Sequence, residues 1–158
     1  MISRDSAHNW ILGLLLVVVA GATVQADWND RFVAALRDRQ LWSLGEAFCK
    51  EQMQAAKSPR EAARWSVEGM RTAAAAALHQ TGAAADDAWK VVGLWSDEFG
   101  GRFGDSSWGW QVELQWALAE LAHGEALRME AEVAADPKEI RVRSLGVLRS
   151  GERRLRIL

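Results

Sequence analysis

The sequence holds no tyrosine, one cysteine and two prolines among its 158 residues, and each scarcity removes possibilities. A lone Cys49 permits no intrachain disulfide, so the fold must rest on packing. No histidine lies near it in sequence and it flanks Phe48 in an apolar pattern, so an inert packed thiol is expected rather than a nucleophile. Excess positive charge is missing as well. The formal net charge is −2, and nucleic-acid binding needs a cationic surplus that displaces phosphate counterions, so no nucleic-acid partner is expected. The glycines of Gly100-Gly101-Arg102-Phe103-Gly104 lack the Gly-Lys-Ser/Thr of a phosphate-binding loop and read as an interhelix turn. No strand of convincing length precedes residue 139. Neither catalytic residues nor a cofactor or metal are expected.

What the chain does hold begins with a leader. A polar stretch with Arg4 precedes the apolar run from Trp10 to Ala20, and Val24-Gln25-Ala26 supplies small or aliphatic residues at the −3 and −1 positions. Residues 1–26 read as a signal peptide cleaved between Ala26 and Asp27. As a helix, Trp10 to Val24 reaches only about 22 Å, short of the ~30 Å hydrocarbon core, so no membrane association is expected after cleavage. The expected address is outside the cytoplasm, periplasmic or secreted. The rest, 27–158, has the length of one domain with a single core.

Charge is uneven along that domain. Asp27 to Pro137 carries 11 basic and 18 acidic residues, whereas Lys138 to Leu158 carries 7 basic and 2 acidic. A basic tail therefore follows an acidic body.

Apolar residues recur at helical spacing. Trp28, Phe32 and Leu36 mark a first helix, about 30–39, and Leu44, Phe48 and Met53 a second, opened by the capping box Ser43-Leu44-Gly45-Glu46 and running to about Lys57. Ser58-Pro59-Arg60-Glu61 sets a third start, with a side-chain acceptor, a first-turn proline and an acid at the third position. That helix runs to about His79 with Ala63, Val67, Met70, Ala74 and Ala77 on one face, and His79 there complements the C-terminal dipole. A fourth, about 86–99, carries Trp89, Val92, Trp95 and Phe99. A fifth, about 108–135, points Trp110, Leu114, Ala117, Leu118 and Leu121 inward. Asp136-Pro137-Lys138-Glu139 opens a basic helix over about 137–158, with Gly146 and Gly151 as the points where it can break. The fold class expected is all-α, built of antiparallel helical hairpins.

Two patterns have a functional and a bland reading. Glu120 and His123 have the Glu-x-x-His spacing of di-iron bundles, but such a site needs a second copy, and a solvated helix face is the better reading. The eight tryptophans after the leader (Trp28, Trp42, Trp65, Trp89, Trp95, Trp108, Trp110 and Trp116) offer stacking platforms for sugars, yet most share faces with Leu, Val or Phe and read as core. Trp108 and Trp110 are the best candidates for exposure. Blue-shifted emission indifferent to glycans separates the core reading from a carbohydrate or cell-wall binder.

Phe32 to Glu51, with Leu36-Arg37-Asp38-Arg39, Trp42, Leu44 and Phe48-Cys49-Lys50-Glu51, resembles the opening helix pair of large exported bacterial tetratricopeptide-repeat proteins. So does Gln115 to Glu125 followed by Arg128 and Glu130-Ala131-Glu132, and the likeness covers most of Phe32 to Leu158. The resemblance implies a helical scaffold for protein contacts, with no catalytic residues. The family's Trp-x2-Leu-Gly-x2-Tyr pattern is not met, since Trp42-Ser43-Leu44-Gly45 is one residue short, and the helix starts show no fixed period. Two origins fit: the opening piece of a longer array, or a stand-alone degenerate copy.

The tail supplies the expected contact surface. Val142, Leu145, Leu148, Leu155 and Leu158 recur at three- and seven-residue intervals as one stripe, partly covered by the fifth helix, and the arginines around them favour an acidic protein partner or a second copy of the chain.

Overall fold

The computed structural model describes residues 28–158, so the leader and the Ala26–Asp27 junction lie outside the described residues. Six helices follow one another: α1 (Trp28–Asp38), α2 (Trp42–Ala55), α3 (Pro59–His79), α4 (Ala83–Phe103), α5 (Gly109–Val133) and α6 (Lys138–Ile157). The fold is all-α, with no strand among the described residues. None of these helices is long and apolar enough to cross a membrane.

The sharpest helix start is α3. Ser58 Oγ accepts the Glu61 amide at 3.2 Å, Pro59 takes the first position, and Glu61 Oε2 accepts the Lys57 amide at 3.1 Å. Ser58→Ala removes that acceptor and is expected to lower stability by about 0.5–2 kcal/mol in chemical denaturation. Ser66→Ala is a useful companion because Ser66 is buried and its Oγ donates to the Trp95 carbonyl at 3.0 Å. Position alone makes Ser66 an inert mid-helix residue, but this bond gives its loss a comparable cost of about 1 kcal/mol. A wild-type midpoint for Ser58→Ala would refute the cap.

Other boundaries depart from the sequence pattern. The Ser43 capping box does not form: α2 begins at Trp42 behind Leu41, with no side-chain cap. Instead the preceding helix ends in a tight reversal that fixes the entry. Gln40 sits at φ 58°, its amide donates to Arg37 O, and the Leu41 amide reaches back to Leu36 O at 2.9 Å. This is the two-bond Schellman closure, with Gln40 at the left-handed position that glycine usually fills. The Gly100–Gly104 segment is not a loop: α4 runs on through Phe103, where Phe99 and Phe103 pack at 5.7 Å and Arg102 Nη1 donates to Met53 O. At about 1 kcal/mol each, the helix penalty of two glycines is outweighed by that packing. Nor is α6 broken at Gly146 or Gly151.

Stripes rotate too. The buried face of α2 is Gly45, Cys49 and Met53, while Leu44 is 54% exposed. Gly45 explains it, because a Cβ there would stand 3.0 Å from Thr72 Cγ2, so α3 approaches along the glycine side. In α1 the inward residues are Val33 and Leu36, and Trp28 is outside. Contacts that rise along one helix as they fall along the next make neighbours antiparallel: Phe32–Phe48 with Leu36–Gly45, Phe48–Trp65 with Gly45–Thr72, Gly93–Trp116 with Phe99–Gly109, and Gly124–Leu148 with Ala117–Gly151. α3 is the centre: it packs on α1, α2, α4 and α5 and is buried nearly all round, which its run of alanines allows. Each odd-numbered helix packs on the next odd one, but α2 and α4, and α4 and α6, make no backbone contact.

Candidate functional site: a basic helix face and two interhelix clefts

Small residues seat α6 on α5. A Cβ on Gly124 would stand 2.5 Å from Leu148 Cγ, and one on Gly151 would stand 3.0 Å from the Ala117 carbonyl oxygen. Ser144 is buried, and its hydroxyl donates to Gly124 O at 2.8 Å. These positions turn Ser144 and Gly151 inward. Val142 is therefore 71% exposed, Leu145 54%, and Leu158 53%, while Leu155 is only marginally exposed and Leu148 is half-buried over Gly124. The five residues form no single stripe, because a three-residue step turns about 300° and successive steps drift by about 60° around the helix. Val142 and Leu145 stay outward on a face that also carries Arg149 and Arg153, while Leu155 and Leu158 are exposed on another side at the end of the chain. Among the described residues no ion pair engages Arg141, Arg149 or Arg153.

Between α4 and α6, over α5, lies a cleft of about 430 Å³ lined by Asp86, Trp89, Gly93, Trp116, Glu120, His123 and Arg143. Trp89 and His123 stack at 4.6 Å with an 11° tilt. Burial holds the His123 imidazole down at about 4, helped by Arg143 and opposed by Asp86, so it is neutral near pH 7. Its Nε2 is buried with no hydrogen-bond partner among the described residues. Arg143 Nη2 donates to Asp86 Oδ1 at 2.6 Å across the cleft. Glu120 is committed elsewhere: Oε1 accepts from Ser150 and Oε2 from Arg154, whose guanidinium also bonds Glu113 and stacks 3.3 Å over Trp116. Glu120 and His123 thus serve different neighbours. No three His, Cys, Asp or Glu side chains converge on a metal position among the described residues. Sequence reasoning missed this cleft, although Trp89 with Gly93 and Trp116 with Glu120 and His123 follow one-face spacing.

A second cleft, about 270 Å³, opens between α2 and α4 and is lined by Ser43, Glu46, Ala47, Lys50, Val91, Leu94, Trp95 and Glu98. Leu94 is 60% exposed at its edge. Lys50 Nζ lies 3.9 Å from Glu98 Oε2, whereas Glu46 has no ion-pair partner among the described residues, and burial raises its carboxyl above the usual range.

The tryptophans divide three ways. Trp65 and Trp95 are core, Trp42, Trp89, Trp108 and Trp116 are half-buried, and Trp28 and Trp110 are exposed. Of the pair picked for exposure, Trp108 is shielded by the Arg60 guanidinium, 5.1 Å from its ring centre.

Cys49 is fully buried, and desolvation first, then the nearby Glu68 charge, pushes its thiol up to about 12. A thiolate is therefore absent near neutral pH. Labelling by a thiol reagent is expected to be slow in native protein and fast in denaturant; rapid native labelling would show an accessible, reactive cysteine.

No protein-family model matches the chain, and neither curated proteins nor solved structures show a significant similarity to it.

Proposed function

We propose that this chain is a non-catalytic helical scaffold, exported to the periplasm or the medium after loss of residues 1–26, which meets a protein partner through the outer face of α6. The neighbour pattern carries the reading. Helix pairs α1–α2, α3–α4 and α5–α6 stack so that odd-numbered helices form one contiguous layer and even-numbered helices meet only through side chains such as Arg102 on Met53 and Arg143 on Asp86. That is how hairpins of the tetratricopeptide kind stack, with each unit touching only its neighbours. Such stacks offer surfaces rather than enclosed pockets, and both clefts are open ones. On α6, Val142 and Leu145 are apolar, exposed and bordered by Arg141, Arg149 and Arg153, which have no ion-pair partner among the described residues, the composition of a contact face for an acidic partner. A photo-crosslinking residue at Leu145 is expected to capture a protein in the exporting host, whereas one at Glu130, exposed on α5, captures none. Equal capture at both sites would sink the reading.

A further inference from the structure

Two surfaces of this molecule have complementary needs. On α6, Val142, Leu145, Arg149 and Arg153 share one face, since spacings of three, four and seven residues return to the same side of a helix. The arginines Arg141, Arg149 and Arg153 bordering it have no ion-pair partner among the described residues. The α2–α4 cleft is the inverse. Val91, Trp95 and the exposed Leu94 give it an apolar floor and edge, and Glu46 lines it with no ion-pair partner among the described residues, the Lys50 of the same lining lying by Glu98. Glu51 and Asp97, both exposed, extend the acidic surroundings, against Lys50 alone of opposite sign along this stretch of α2. At about 270 Å³ the cleft falls below the ~300–1,000 Å³ of small-molecule sites and suits one or two aliphatic side chains.

We propose that the outer face of α6 in one copy of this chain docks into the α2–α4 cleft of a second copy, with Leu145 entering beside Leu94 and Val91 and the arginines meeting Glu46, Asp97 and Glu98. The inference rests on α6 being the contact face, and adds what that face meets. A symmetric α6-to-α6 dimer is disfavoured, because it sets unpaired arginines against unpaired arginines. The contact is heterologous: each copy keeps one free face and one free cleft, so growth continues beyond a dimer unless a ring closes. Rim charges contribute, so association weakens as salt rises past the Debye range.

Light scattering on the full chain tests it with two surface variants. L145E/R149E spoils the helix face by setting acids against the acidic cleft, and A47W plugs the cleft from its exposed lining residue. The wild type is expected to rise with concentration to dimer mass and beyond, while each variant alone, with unchanged helicity and melting, stays monomeric. Mixed together, the two variants form a one-to-one heterodimer and nothing larger, because one intact helix face remains for one intact cleft. A monomeric wild type at every concentration, a loss in L145E/R149E that A47W does not share, or a mixture that stays monomeric overturns the proposal. If the wild type is monomeric while Leu145 still crosslinks to a different protein, the scaffold reading stands and this inference alone fails.

Discussion

Replacing Gly69 by alanine is expected to lower the stability of the domain by about 2–3 kcal/mol, read as an earlier midpoint in chemical denaturation. The added Cβ would stand 2.4 Å from Cε2 of Trp95 and 2.5 Å from two further atoms of the same ring. A flexible side chain gives way at its far end, but an indole moves as a plate. This one is buried, and its backbone is held by the Ser66 hydroxyl on the Trp95 carbonyl. Helix propensity pulls the other way, since alanine is better than glycine by about 1 kcal/mol inside a helix. Gly101→Ala measures that opposing effect alone, because nothing lies within 4 Å of the new Cβ and α4 continues through the position. The pair should move in opposite directions. Gly69→Ala as stable as wild type would mean that α3 and α4 do not approach as closely as described.

Removing the charge of Glu68 is expected to cost about 3 kcal/mol, since breaking a buried ion pair leaves its partners uncompensated. Glu68 is buried between two guanidinium groups: Arg37 Nη1 donates to Oε2 at 2.7 Å and Arg71 Nη1 to Oε1 at 2.6 Å. Thr72 donates its hydroxyl to the Glu68 carbonyl, and Arg71 Nε continues to Gln115 Oε1, so the network ties α1, α3 and α5 together. Glu68→Gln keeps the shape and removes the charge, which isolates the electrostatic part. Burial alone would raise the Glu68 carboxyl, but Arg37 and Arg71 outweigh it and hold the group below its ordinary 4.5. Its folded pKa is depressed, so its contribution is complete above about 4.5 and disappears as pH falls through the folded value. His123 acts in a higher window. Its folded pKa is near 4 against an ordinary 6.5, so the unfolded chain takes up the proton first, and stability falls as pH drops from about 6.5 toward 4. Wild type should lose stability in both windows and Glu68→Gln only in the upper one. An unchanged acid branch in the variant would contradict this assignment.

Local chemistry was legible in the sequence and long-range geometry was not. The start of α3 was readable because Ser58, Pro59 and Glu61 act within four residues of one another. The end of α4 was only half readable: Phe99 against Phe103 is an i, i+4 pair that flanks the glycines, but Arg102 on the Met53 carbonyl, 49 positions away, lies outside any window around them. The outward face of α6 was half legible. Exposed apolar residues beside arginines are visible in the string, but which of them stay outside depends on Gly124 and Gly151 setting the helix rotation. The Arg37–Glu68 bond joins residues 31 positions apart and the Arg71–Gln115 bond residues 44 apart, and the one local clue to this network is a charged residue among the small, buried positions Ser66, Gly69 and Thr72. The aromatic cleft needed α4, α5 and α6 in place together before Trp89 and His123 met.

The stacking order also governs how the chain reaches this state. Every helix packs on helices one or two places away along the chain, and the ion pair across the aromatic cleft, Arg143 with Asp86, spans 57 positions. Low contact order of this kind favours fast folding, because little loop-closure entropy precedes the first rewarding contacts. Pairing can therefore begin at the amino end, where α1 packs on α2 and α2 on α3, and where Val33, Cys49 and Met53 join the common buried core. A polypeptide emerging amino end first can acquire its structure pair by pair, each pair serving as the template on which the next condenses.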